Sequence, residues 1–114
     1  MSCALVLDPN GGIREIDLSE GDSLPAMYAA IGCHTVDVVR LTTQLDMWID
    51  DDGLYTQPPN RVAAALARSY GRTSQAYHGP AVVAGVNGQG DTINLTEDQA
   101  RAVLLHLDDV ICGA

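Results

Sequence analysis

Four aspartates crowd around the only tryptophan of the chain in LDMWIDDDGLYTQPPN, Leu45 to Asn60. Asp46 and Asp50 flank Trp48 at alternate positions, and Asp51 and Asp52 follow. Carboxylates this dense could ligate a divalent cation, share a proton as a catalytic pair, or shape a turn. A calcium loop of the EF-hand type needs acidic ligands at alternate positions, glycine at the sixth and glutamate at the twelfth. With Gly53 in the sixth place, Trp48 falls at the first and Pro59 at the twelfth, and neither is such a ligand. Asp50-Asp51-Asp52-Gly53 instead has the composition of a tight turn, aspartate early and glycine late. A turn is the leading reading; a weak cation site and a carboxylate pair are the alternatives.

Other candidate chemistry is thinner. GVNGQGD is glycine-rich, but a phosphate-binding loop needs a following lysine, and the chain has no lysine. A dinucleotide fingerprint must open onto a helix, whereas TINL after these glycines reads as a strand. His34, His78 and His106, with Cys33 beside His34, lack the close ligand pairs of structural zinc. No metal or cofactor is expected. Cys3, Cys33 and Cys112 are an odd, widely spaced set, better read as small buried hydrophobes than as a disulfide framework. There is no nucleophile elbow and no Ser-x-x-Lys pair. Cys33 follows a helix end, where the dipole opposes a thiolate. An enzyme assembled from distant residues is not ruled out, but the sequence leans against one.

Charge is the strongest global signal. Fifteen acids face six bases, all arginine, for a net charge of −9 over 114 residues. That repels phosphate backbones, so direct nucleic-acid binding is not expected, and it favours a partner with a basic surface. No apolar run approaches a membrane span. The start, MSCALVLDPNGG, lacks a basic leader and a cleavage pattern and reads as cytoplasmic. The length suits one domain, residues 1–114.

These residues must be positioned by short elements. CALVLD reads as a buried strand, PNGG as a turn tolerating positive φ, and IREIDL as the returning strand of a hairpin. SLPAMYAAIG reads as a helix capped by Ser23 and stopped at Gly32. HTVDVVRL and QLDMWI are the next two strands. In the second, Leu45, Met47 and Ile49 share one face and Asp46, Trp48 and Asp50 the other. Asn60 caps RVAAALARSYG, with Val62, Leu66 and Tyr70 as its inner stripe and Gly71 as its stop. GPAVVAGV, NGQG and DTINL form a strand, a turn and a return. Thr96 and Gln99 make a capping box for the last helix, whose Ala100, Val103, Leu104, Leu107 and Ile111 recur at helical spacing, with His106 on its polar side. The expected fold is α+β: a mostly antiparallel sheet built from hairpins, covered on one face by two or three helices.

Five segments in this order resemble a small domain-of-unknown-function family found in bacteriophages, plasmids and their bacterial hosts. They are LVLDPNGGIREIDL (Leu5–Leu18), HTVDVVRL (His34–Leu41), MWIDDDG (Met47–Gly53), PPN with its following alanines (Pro58–Ala65), and GPAVVAG with INLTEDQA (Gly79–Ala100). The resemblance covers nearly the whole chain and carries no assigned activity, cofactor or catalytic position. The family usually places a mixed Asp/Glu pair after the tryptophan, where this chain has three aspartates. It implies a setting: small acidic proteins of mobile elements often act by binding a host protein.

The expectation is therefore a non-enzymatic acidic binding protein of a phage or mobile element, acting on a host factor in defence or DNA processing. Its contact surface is expected at Asp46, Trp48, Asp50, Asp51 and Asp52, with Trp48 either a packed anchor or an exposed one. Arg40 on the neighbouring strand can pair with these aspartates. One alternative is a small ligand-binding or enzymatic domain with a pocket between sheet and helices, using Arg40, Tyr28 or Tyr70. Another is DNA mimicry, which requires carboxylates at phosphate-like separations on one face. Edge strands also admit a symmetric homodimer.

Overall fold

The computed structural model describes residues 3–18, 36–50, 58–71, 77–88 and 91–112. The helix expected over Ser23–Gly32, the turn Asp51–Gly53, Tyr28, Cys33 and His34 lie outside the described residues. Within them the chain forms β1 (Ala4–Leu7), β2 (Ile13–Ile16), β3 (Val36–Thr42), β4 (Leu45–Asp50), α1 (Arg61–Ser69), β5 (Ala81–Val86), β6 (Thr92–Ile93) and α2 (Glu97–Cys112). The strands make one six-stranded sheet in the order β2-β1-β5-β4-β3, with β6 also paired to β5. Every pairing is antiparallel. The fold is α+β, as expected.

The hairpin turn between β1 and β2 is closed by its own polar groups. Asp8 N–H donates to the Gly12 carbonyl at 2.8 Å and Gly11 N–H to the Asp8 carbonyl at 3.0 Å. The Asn10 side chain accepts from Gly12 N–H at 2.8 Å. Gly11 stands at φ 92°, where a side chain would be strained. On the strand beyond it, Arg14 reaches back to Asp8 at 2.8 Å.

Strand periodicity then divides the core in two. Leu5, Leu7, Leu41, Leu45, Met47, Ile49, Ala81 and Val83 pack with Ala63, Leu66 and Ala67 of α1 and Val103 and Leu107 of α2. Ala4, Val6, Leu18, Val82 and Ala84, joined by Ile16 and Trp48, form a second cluster on the opposite side of the sheet. β5 explains why both faces are apolar. It is central, with β4 on one side and β1 and β6 on the other, and its first five residues are all buried. The expectation of a sheet covered on one face is corrected accordingly: the second face is buried at its centre as well.

Asn60 ties the helical layer to the sheet. Its Oδ1 accepts from Ala63 N–H at 3.0 Å, the expected N-cap. Its Nδ2 donates to the Leu7 and Gly79 carbonyls, each at 2.9 Å, and its backbone N–H donates to the Tyr77 carbonyl at 2.7 Å. One buried side chain thus fixes the start of α1 against the end of β1 and the approach to β5. α1 buries Ala63, Leu66 and Ala67, while Val62 and Tyr70 are only partly buried. Its inward stripe is therefore Ala63, Leu66 and Ala67.

α2 opens with the expected reciprocal box. Thr96 N–H donates to Gln99 Oε1 at 2.9 Å and Gln99 N–H to Thr96 Oγ1 at 3.1 Å. Val103 and Leu107 are buried and Ala100 is partly so, but Leu104 is 40% exposed. Its expected place in the inner stripe is corrected: Val103 and Leu107, four residues apart, centre the buried face, and Leu104 lies about 100° round the helix from Val103.

Candidate functional site

The outer end of the sheet carries the residues singled out in the sequence. Alternation on β4 places Leu45, Met47 and Ile49 in the helix-covered core and Asp46, Trp48 and Asp50 on the other face, as expected. The open carboxylate rim is corrected for the two described aspartates, because that second face is largely closed. Asp46 is 5% exposed and Asp50 9%. Asp46 Oδ1 accepts from Arg40 Nε at 2.9 Å, across the directly opposed pair Arg40–Asp46 of β3 and β4. The arginine's side chain stays 57% exposed, so the pair joins a buried carboxylate to a solvated cation. Asp51 and Asp52 lie outside the described residues.

Trp48 is packed, the first of its two sequence readings. Its ring packs on the second cluster, yet the residue is only partly buried. Its direct neighbour on β3 is Val38, 42% exposed. The indole Nε1 is buried and has no hydrogen-bond partner among the described residues. Among the described residues β3 is the last strand of the sheet on this side, and its Val38 N–H is taken up by the side chain of Asp37 at 2.9 Å. A carboxylate on an edge N–H occupies a donor that another strand would otherwise use.

A second constellation joins the helices. The Tyr70 and His106 rings stack with centroids 4.4 Å apart at 21°. Ser69 Oγ lies 3.3 Å from His106 Nδ1 and donates to the Leu66 carbonyl at 2.7 Å. The stacked rings and this contact link the end of α1 to α2. Burial pushes the Tyr70 phenol above its ordinary value, keeping it neutral. Arg40 stands on β3 and Tyr70 just past the end of α1; Tyr28 lies outside the described residues.

A groove does open elsewhere, at the β2 edge of the sheet. Cys3, Glu15, Glu97, Ala100, Arg101 and Leu104 line about 350 Å³ between β2, the start of β1 and the first turns of α2. Burial and the nearby Glu15 carboxylate push the Cys3 thiol above its ordinary value, which favours the protonated, weakly nucleophilic form. Among the described residues no three His, Cys, Asp or Glu side chains converge as a metal cradle, and no helix is long and apolar enough to cross a membrane.

Comparison with known families decides the relationship. The family described as Domain of unknown function (DUF3846) matches residues 1–108. The chain belongs to this family. No curated protein matches, and no solved structure does.

For this DUF3846 chain, sequence reading located the β3–β4 pair but not the groove. The groove joins residues from three separated stretches, a juxtaposition created by the placing of β1 and β2 beside α2. Two local signs were present: Glu97 and Arg101 stand four apart, and Leu104 falls seven beyond Glu97, so the three share a helix stripe. Nothing local tied that stripe to Glu15.

Proposed function

We propose that this DUF3846 chain is a non-enzymatic acidic binding protein, encoded on a phage or other mobile element, that engages a host protein with a basic surface. The observation carrying this reading is the β3–β4 edge. There an exposed valine stands directly opposite a partly exposed tryptophan, in a molecule of net charge −9. An aromatic anchor with an apolar neighbour supplies contact energy, and a surrounding negative potential steers a cationic partner. Asp51 and Asp52 follow β4 in sequence and add to the negative charge of this stretch. DNA mimicry is the weaker form of the reading: Arg61, Arg68 and Arg101 are exposed on the helices and Arg14 and Arg40 on the strands, against the uniform charge a mimic needs.

The test is affinity capture from a bacterial host, comparing the native chain with Val38→Asp and with Asp51→Asn/Asp52→Asn. A specific basic partner should be retained by the native chain, be lost with Val38→Asp, be weakened by the double variant, and elute as salt rises. A captured partner indifferent to all three changes would refute this placement of the contact.

The groove favours a second reading, a small ligand held between sheet and helix. It differs from the sequence-based version of that idea, since neither Arg40 nor Tyr70 lines it. Thermal-shift screening with nucleotides and metabolites decides it, because a ligand at a hundredfold its Kd adds about 2.7 kcal/mol.

A further inference from the structure

We infer that the exposed face of α2 pairs with the same face of a second copy of the chain, the two helices lying antiparallel about a two-fold axis. This contact uses none of the β3–β4 residues and does not depend on the host-binding reading.

Arg101, Leu104, Leu105 and Asp108 recur at helical spacing and are all exposed, so they form one stripe turned away from the buried Val103 and Leu107. Leu105 is 62% exposed, more than any other large hydrophobic residue among those described, and Leu104 beside it is 40% exposed. Neighbouring leucines in water form a patch that gains from being covered. The ends of the stripe carry opposite charges. Glu97, one turn earlier, is already engaged: the terminal amine, by a hydrogen bond and by its charge, holds that carboxylate below its ordinary value, and Arg101 adds least. No carboxylate among the described residues lies within ion-pair distance of Arg101. Asp108 has a contact within its own chain, and the two oxygens of a carboxylate accept several hydrogen bonds at once.

The order cation, leucine, leucine, acid is its own complement. With the axis between Leu104 and Leu105, an antiparallel copy sets Leu104 against Leu105 twice and Arg101 against Asp108 twice, each ion pair about 5 Å along the helix from the axis. The helix dipoles then oppose each other. A parallel copy would set Arg101 against Arg101 and Asp108 against Asp108, and like charges repel.

The sheet edges offer a second copy less. On β3, Asp37 already occupies the Val38 N–H. On β2, the bond from Asp8 N–H to the Gly12 carbonyl and the register with β1 turn the backbone groups of Ile13 and Glu15 outward. Two-fold pairing centred on Arg14 or on Glu15 opposes like charges, and pairing centred on Ile13 runs into the turn. The helix stripe is the self-complementary surface. A contact of one stripe falls below the roughly 1,200 Å² of a standard interface, so the dimer is a transient one.

Sedimentation velocity over a rising concentration series should show the native chain passing from monomer to dimer. Arg101→Asp and Asp108→Arg, each checked for folding by circular dichroism, should each weaken self-association roughly tenfold, because symmetry replaces two ion pairs with two repulsions. Mixed in equal amounts, these two variants should associate with native affinity, since every facing charge is again opposite. Asp108→Asn serves in the same mixture if the arginine variant does not fold, with one ion pair recovered in place of two. Leu105→Asp, at a solvent-facing position, should abolish association. Val38→Asp, which tests host capture, should leave self-association unchanged. A mixture that associates no better than its components overturns the inference, as does a native chain that stays monomeric at millimolar concentration. Association that survives Leu105→Asp overturns it too. None of these results bears on capture of a host partner at the β3–β4 edge.

Discussion

Asn60 and Trp48 are both polar residues held against the sheet, and they differ in almost every respect that matters. The Asn60 side chain is 1% exposed, and both its amide nitrogen and its oxygen are bonded, to three separate stretches of the chain. The Trp48 indole nitrogen is buried with no partner among the described residues, and its ring is only partly covered. A fully bonded buried amide specifies a junction, and losing it leaves other groups unpaired. An unpaired buried donor contributes nothing that its removal would forfeit. The contrast separates a residue retained for architecture from one whose polar atom has no architectural duty.

The largest effect is expected where bonds are lost together. Asn60→Ala removes the N-cap of α1 and strips partners from the Leu7 and Gly79 carbonyls. It should lower unfolding stability by about 2–4 kcal/mol, combining a cap with newly unsatisfied buried acceptors. Urea unfolding followed by far-ultraviolet circular dichroism measures it. A loss under about 1 kcal/mol would mean that water replaces all three bonds, and the contrast with Trp48 would fail.

Asp46 lies between these extremes. Its carboxylate is buried, but its partner Arg40 is largely in water, so the pair is weaker than a closed one. Asp46→Asn should cost about 1 kcal/mol, because the amide oxygen still accepts from the guanidinium but without the full charge. A loss as large as that of Asn60→Ala would show that Asp46 anchors more than Arg40.

Trp48→Phe sharpens the comparison from the other side. It keeps an aromatic ring on the second cluster and deletes the unpaired N–H. Lost ring area costs stability at roughly 25 cal/mol per Å², while relief of an unsatisfied donor returns about 1–3 kcal/mol. The net change should fall within about 1 kcal/mol of the native chain. A larger loss in the same urea series would mean that the indole nitrogen has a partner in solution, water or otherwise. Because Trp48 is the one tryptophan, fluorescence of the native chain reports that site alone, and partner binding at the β3–β4 edge should shift its emission to the blue.

Much of the fold could be read from local chemistry. The Asn10-Gly11-Gly12 turn, the Asn60 cap and the Thr96–Gln99 box each bond within a few residues, so their signals are complete in short stretches. The two faces of β4 followed from period two alone. The order of strands did not. β5 inserts between β1 and β4 through pairings far apart in sequence, such as Leu5 with Val83 and Met47 with Val83. The burial of Asp46 and Asp50, polar by sequence, is likewise a property of the assembled sheet and not of the local stretch. The groove was invisible for the same reason: Glu15 and Glu97 become neighbours only when β2 and α2 are placed at one edge. Sequence reading placed Asp46, Trp48 and Asp50 on one face of β4 and missed the burial of the two carboxylates there.

The smallest effect concerns Cys3, where environment acts on reactivity more than on stability. Burial first, and the Glu15 charge second, raise its thiol above the ordinary value. Glu15→Gln removes the second cause and leaves the first, so the value should fall part of the way back. More thiolate is then present at mildly alkaline pH, and alkylation of Cys3 by iodoacetamide, mapped by mass spectrometry, should accelerate several-fold. The linkage follows from the same sign. A thiol whose folded value is raised supports the fold below its unfolded value, about 8.5, and loses that support as pH rises through the folded one. Glu15→Gln should therefore soften the alkaline decline of stability while leaving neutral pH nearly unchanged. An unaltered alkylation rate would place the Glu15 carboxylate too far from Cys3 to act on it, and would remove one wall of the groove with it.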